Sequence, residues 1–135
     1  MSRTTWVLGL VLLAFVVSAG WALFSRSTEP PLPRLRIEVL NGCGEEGLAA
    51  STAQRLRDLG QDVVKVADAD RHDYDRCVII DRGGRPWLSR RLARRLGGIT
   101  VILEREATAD VDVTLILGKD HGRYLPPPSG PSPGV

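Results

Sequence analysis

Residues Trp6 to Phe24 (WVLGLVLLAFVVSAGWALF) run for 19 positions without a charge. Wound as a helix, they extend roughly 28 Å, close to the hydrocarbon thickness of a bilayer. Such a segment is withdrawn from the core of a small soluble domain. Of the 135 residues, it leaves 34–125 as the stretch able to fold into a compact body. That length suits one small core. It is too short for a two-lobed enzyme, a full dinucleotide-binding fold or a large catalytic barrel.

Residues 6–24 read as a retained signal-anchor behind a short tail, 1–5. Val17-Ser18-Ala19 offers a small-residue cleavage site, the mark of a removable signal peptide. The apolar run continues past it through Trp21 to Phe24, however. Trp6 and Trp21 stand near its ends, where indoles prefer the headgroup level. Orientation is contested. Arg3 precedes the span, whereas Arg26, Arg34 and Arg36 follow it, a bias toward a cytoplasmic C-terminus. Residues 25–33 (SRSTEPPLP) form a proline-rich linker whose nine residues reach at most about 30 Å. They tether the domain near the bilayer. Residues 126–135 (PPSGPSPGV after Pro126) form a Pro/Gly/Ser tail that cannot pack.

The periodicity of 34–125 predicts an α+β domain: a small mixed or antiparallel sheet with two helices, in the order β-α-β-β-α-β-β. Strands are predicted at Arg36–Leu40, Val63–Ala67, Arg76–Asp81, Ile99–Glu104 and Val111–Leu117, the last with Val111, Val113, Leu115 and Leu117 on one face. Helices are predicted at Leu48–Leu59, ended by Gly60, and at Pro86–Leu96, ended by Gly97-Gly98. Both helices are expected on one face of the sheet.

Few residues form a pattern that chemistry requires. Gly42-Cys43-Gly44-Glu45-Glu46-Gly47 spells G-x-G-x-x-G between a strand and a helix. Two glutamates would occupy the place of a pyrophosphate, so the motif is read as a tight turn with Asn41 or a glycine in positive φ. The carboxylates of Asp68, Asp70, Asp73 and Asp75 lack the glycine and glutamate that a calcium loop needs, and are read as a solvated turn. His72 and His121 belong to no spaced ligand set. No nucleophile stands beside a base. No catalytic residue, cofactor or metal is therefore assigned.

Charge is the remaining signal. Residues 34–125 hold 16 Lys and Arg against 15 Asp and Glu, so no nucleic-acid partner is expected from net charge. On the second helix, Leu88, Leu92, Ala93 and Leu96 are expected to face the sheet. Arg90, Arg94, Arg91 and Arg95 then form two i,i+4 columns on the other side. Guanidiniums so placed suit an anionic polymer, phosphate or headgroup; the alternative is a solvated charged face. Trp87 is expected in the core. Cys43 and Cys77 are a candidate disulfide if the domain is exported, and thiols otherwise. With an antiparallel sheet and strands one and three adjacent, they would lie near the same end.

Val39-Leu40-Asn41-Gly42-Cys43-Gly44, Gly47-Leu48-Ala49, Leu56 and Leu59-Gly60 resemble the opening of the LytR C-terminal domain. Asp110-Val111-Asp112-Val113-Thr114-Leu115-Ile116-Leu117-Gly118-Lys119-Asp120 is similar to its close. The resemblance spans Arg36 to Asp120. That domain follows the catalytic LytR/CpsA/Psr domain in many envelope proteins, or stands alone behind one span. The resemblance therefore implies an accessory or binding role, with no catalytic residues to carry over. Cys43 and Cys77 depart from the small polar residues expected there.

The expectation is a membrane-anchored, non-enzymatic envelope domain facing outward. Its partners would be the membrane, through 6–24, and LytR/CpsA/Psr-type envelope proteins or an anionic wall polymer. Candidate contacts are Asn41, Gly42, Gly44, Arg90, Arg91, Arg94 and Arg95. The alternative is a cytoplasm-facing regulator that touches nucleic acid or anionic lipid through the same arginines.

Overall fold

The computed structural model describes residues 2–24 and 30–124, the side chains of Leu23 and Phe24 excepted. Most of the linker and the tail at 126–135 lie outside the described residues. The chain divides into two units, Met1–Pro31 and Leu32–Val135.

The first unit is one helix, α1, Arg3–Phe24. It begins three residues before the uncharged run because Ser2 and Thr5 close the first turn. Thr5 donates through both its backbone N–H and its hydroxyl to the Ser2 carbonyl. Its apolar side chains, Trp6 and Trp21 among them, are exposed. By length and composition the helix is able to cross a membrane.

The second unit follows the expected element order. The elements are β1 Arg36–Asn41, α2 Leu48–Asp58, β2 Asp62–Asp68, β3 Val78–Asp81, α3 Pro86–Arg95, β4 Thr100–Leu103 and β5 Val113–Leu117. A 3-10 turn, η1, His121–Arg123, comes last. The five strands form one mixed sheet in the order β2-β1-β5-β3-β4. β1 runs parallel to β2 and to β5, and β3 runs parallel to β4 but antiparallel to β5. The parallel neighbours that are consecutive in the chain are joined by a crossover helix, α2 for β1–β2 and α3 for β3–β4.

Strands one and three are not adjacent, so the condition under which direct pairing would bring the two cysteines to one end is not the arrangement observed. β5 lies between them. It is the most apolar strand and takes the centre, where both faces are covered. All five of its residues are buried, not only the predicted alternate set.

One core serves both halves. Ile37, Val39, Val63, Ile79, Val113, Leu115 and Leu117 meet Ala49, Ala53 and Leu56 of α2 and Leu88, Leu92, Ala93 and Leu96 of α3 or its end. Each buried Leu or Ile contributes roughly 1.5–3 kcal/mol relative to exposure. The opposite face is bridged by polar side chains instead of a second layer. Lys65 on β2 pairs with Glu38 on β1 at 2.6 Å. Thr114 on β5 donates its hydroxyl to Glu38 and accepts from Arg82 Nε. Arg82 continues the row to Glu104 and Glu106, at 3.4 and 3.5 Å. This row runs across the sheet and helps cover the outer side of β5, where Thr114 and Ile116 are buried.

Trp87 corrects its expectation: it is 58% exposed. The inward stripe of α3 is Leu88, Ser89, Leu92 and Ala93. Trp87 instead shares the i, i+4, i+7 stripe with Arg91 and Arg94.

Candidate functional site

The carboxyl ends of β1 and β5 lie side by side, and the segments leaving them meet. Asn41, the last residue of β1, is 6% exposed. Its side-chain oxygen accepts from the backbone N–H groups of Cys43 and Gly44, at 3.2 and 3.1 Å. The Cys43 thiol also points to that oxygen, at 3.6 Å. The Asn41 side-chain NH2 donates to the Glu45 carbonyl at 2.7 Å. One buried carboxamide thus holds both flanks of the turn. The N–H groups that a phosphate would have to claim already serve Asn41.

Gly42 is fixed by close approach. A Cβ there would lie 2.8 Å from the Leu117 carbonyl and 2.7 Å from the Tyr74 ring. Gly44 takes a φ of 75°, which disfavours any side chain. Asn41, Gly42 and Gly44 therefore build the turn.

The acidic stretch contributes more than a solvated connection. Ala69 N–H donates to the Asn41 carbonyl, Tyr74 N–H to the Gly42 carbonyl, and Lys119 N–H to the Tyr74 carbonyl. Tyr74 anchors this loop across the two strand ends, and its hydroxyl donates to Asp70 at 2.9 Å. Sequence analysis did not single out Tyr74; an aromatic residue within an otherwise charged loop was the available signal.

Cys43 and Cys77 do fall at the same end of the sheet, because β5 is antiparallel to β3. Both are free thiols in this structure, so the candidate disulfide is not formed in it. Cys77 is 1% exposed. Its sulfur accepts from Gly118 N–H at 3.3 Å, and its own N–H donates to Asp120 at 2.7 Å. Burial, before any neighbouring charge, pushes its thiol up to about 12. It is therefore protonated and unreactive at neutral pH. Cys43 is only half-buried.

Cys43, Glu45 and His121 converge. One donor atom from each lies within 4.8 Å of the others. His121, from η1, contacts the Glu45 carboxylate at 2.5 Å. Local spacing gives His121 no ligand partners; folding brings it beside Cys43 and Glu45.

The arginines belong to the other half of the sheet. Arg90, Arg94 and Arg95 are exposed and Arg91 is half-buried, on the side of α3 away from the core. Arg94 and Arg95 occupy the last turn, where a cation complements the helix dipole.

The chain belongs to the LytR C-terminal family, described as "LytR cell envelope-related transcriptional attenuator", whose model matches residues 34–121. It is a non-enzymatic, cell-envelope-associated domain of the LytR/CpsA/Psr type. Among solved structures, it is similar to the soluble domain of a conserved hypothetical secreted protein, an Rv2700 ortholog, from Mycobacterium marinum. The identity is 28% and the TM-score 0.49, over 70% of this chain and 66% of that one, just under two thirds. It is also similar to the C-terminal domain of RV0431, at 27% identity and TM-score 0.39, over 70% of this chain and 80% of that one. No curated protein matches the chain.

Proposed function

We propose that this protein is a membrane-tethered accessory of the cell envelope, its domain outside the membrane and α3 set against an anionic wall polymer or a polymer-bearing envelope protein. The observation that carries this reading is the sidedness of α3. Its inward face is Leu88, Ser89, Leu92 and Ala93, and its outward face carries four arginines within six positions. Guanidiniums bind carboxylates and phosphates through paired N–H donors, so a polyanion is the fitting partner. α1 supplies the tether, and the family's envelope description supplies the setting.

The test replaces Arg90, Arg91, Arg94 and Arg95 by Gln together. Retention on purified anionic wall polymer is expected to fall at least tenfold at low salt, and the salt dependence of binding to flatten. Stability should fall by no more than about 2 kcal/mol, the sum of four surface changes of up to about 0.5 kcal/mol each, with Arg94 and Arg95 contributing most through the helix dipole. Equal retention by the variant sinks the arginine face. An impermeant thiol reagent in intact cells tests the side, because Cys43 is half-buried and Cys77 buried. Labelling of Cys43 places the domain outside. Labelling only after lysis returns the cytoplasm-facing alternative, which the positive residues after α1 favour.

A further inference from the structure

We infer that Cys43, Glu45 and His121 form a binding site for a divalent transition ion of borderline softness, zinc(II) foremost. This goes beyond the envelope role and does not depend on it.

Three different donors meet at one point: a sulfur, a carboxylate oxygen and an imidazole nitrogen, all within 4.8 Å of each other. In a tetrahedral zinc site, bonds of about 2.0–2.3 Å separate such donors by roughly 3.3–3.6 Å. Reaching that geometry requires the Glu45–His121 contact to open by about 1 Å and the thiol to close by a similar amount, within side-chain rotation. Calcium and magnesium take oxygen ligands, so the sulfur and nitrogen select against them.

A plain ion pair between His121 and Glu45 has no use for a thiol beside it. Among the described residues, the Cys43 thiol makes a long hydrogen bond to Asn41 Oδ1, at 3.6 Å. On binding, the S–H bond breaks as a sulfur–metal bond forms, the ligating nitrogen of His121 gives up its proton as a nitrogen–metal bond forms, and both protons leave to solvent. Three protein ligands leave a fourth position for water or for a donor from a partner.

The scaffold is rigid on both sides. Asn41 grips the backbone of Cys43 and the carbonyl of Glu45. η1 is tied back where Asp120 accepts from Cys77 N–H and His121 N–H donates to the Gly118 carbonyl. Gly118 seats this junction, since a Cβ there would lie 2.3 Å from the Arg76 backbone. His72, the other histidine, stands beside Gly44 and pairs with Asp68 at 3.7 Å. It supplies a control outside the set.

The experiment uses the full chain in detergent, reduced, freed of metal and carrying no polyhistidine tag. Zinc(II) is titrated in competition with a chromophoric chelator, and cobalt(II) serves as the spectroscopic probe. The expected result is one ion per chain, a thiolate-to-cobalt charge-transfer band, and protection of Cys43 from alkylation by zinc. Cys43→Ser and His121→Gln should each weaken zinc binding by more than the roughly 10–100-fold that loss of an outer-shell partner costs. Cys43→Ser should also abolish the band. His72→Gln should bind as the parent does, with all variants melting as the parent. No saturable uptake overturns the site. So does uptake that survives both Cys43→Ser and His121→Gln, or that is lost with His72→Gln.

Discussion

The two β-α-β halves of the domain end their first strands with the same device and put it to different uses. β1 ends in Asn41, 6% exposed, and β3 ends in Asp81, 3% exposed. Each side chain ties down the turn that leads into a helix. Asn41 accepts from Cys43 and Gly44 N–H. Asp81 accepts from Gly84 N–H at 2.7 Å and from the Ser89 hydroxyl at 2.5 Å. The clamp after β1 is neutral, and the turn it holds presents a thiol and two glutamates. The clamp after β3 is anionic, and its turn carries Arg82 and Arg85, the latter paired with Asp112 at 3.1 Å. A neutral clamp keeps a third negative charge away from Cys43, Glu45 and Glu46. A charged clamp is tolerated where donors and arginines gather. The same local geometry thus serves a turn that carries two glutamates on one half and a basic helix on the other.

The largest expected effect tests whether the halves are separable at all. Leu56→Ala in α2 and Leu92→Ala in α3 should each cost about 2–5 kcal/mol, because both side chains are fully buried. Since one core joins them, each variant should unfold in a single urea transition, by fluorescence and by circular dichroism alike. Two resolved transitions would mean that the halves are independent.

A smaller effect compares the clamps. Asp81→Ala removes two charge-assisted bonds and should cost roughly 3 kcal/mol in chemical denaturation. Asn41→Ala removes neutral ones and should cost about 1–3 kcal/mol. An Asn41→Ala protein as stable as the parent would mean that the turn holds itself without its carboxamide.

The smallest effect concerns the buried thiol. Folded, Cys77 keeps its proton to about pH 12, against an ordinary value of 9.0. Below pH 9 folded and unfolded chains both hold the proton, and its contribution to stability is complete. Between those values the unfolded chain releases a proton that the folded one keeps, so stability falls as pH rises. Cys77→Ala should flatten that alkaline slope, measured as urea midpoint against pH. An identical slope in Cys77→Ala assigns the alkaline loss to other groups.

Much of the fold is legible along the chain. Arg36–Asn41, Asp62–Asp68, Pro86–Arg95 and the other strands and helix of the sheet domain fall within a residue or two of where periodicity, proline and glycine place them. The inward residues of α3 are also legible, Leu88, Leu92, Ala93 and Leu96 all being buried, because a helix repeat is a local property; on α2, the same spacing turns Leu59 inward with Ala49, Thr52, Ala53 and Leu56, but it is exposed where the helix ends. Trp87 was misplaced because residue type suggested the core, whereas its position on the α3 stripe decided otherwise. The candidate site was half legible. The Asn41–Gly44 turn is conspicuous, but its residues hold the backbone, and the donors beside it gain meaning only from His121, brought by η1. The arginine columns of α3 were visible because i and i+4 lie on one face by helical geometry alone.

By itself, the sequence determined an apolar helix able to cross a membrane, the order of seven strands and helices, and which helix faces are oily. Those follow from residue spacing over a few turns. Tertiary structure decided that β5 slides between β1 and β3, buries Thr114 with Leu115, and carries His121 to Cys43 and Glu45. Strand neighbours are chosen by which apolar segment best fills the middle of a sheet, a competition between residues far apart in the chain that no local spacing encodes.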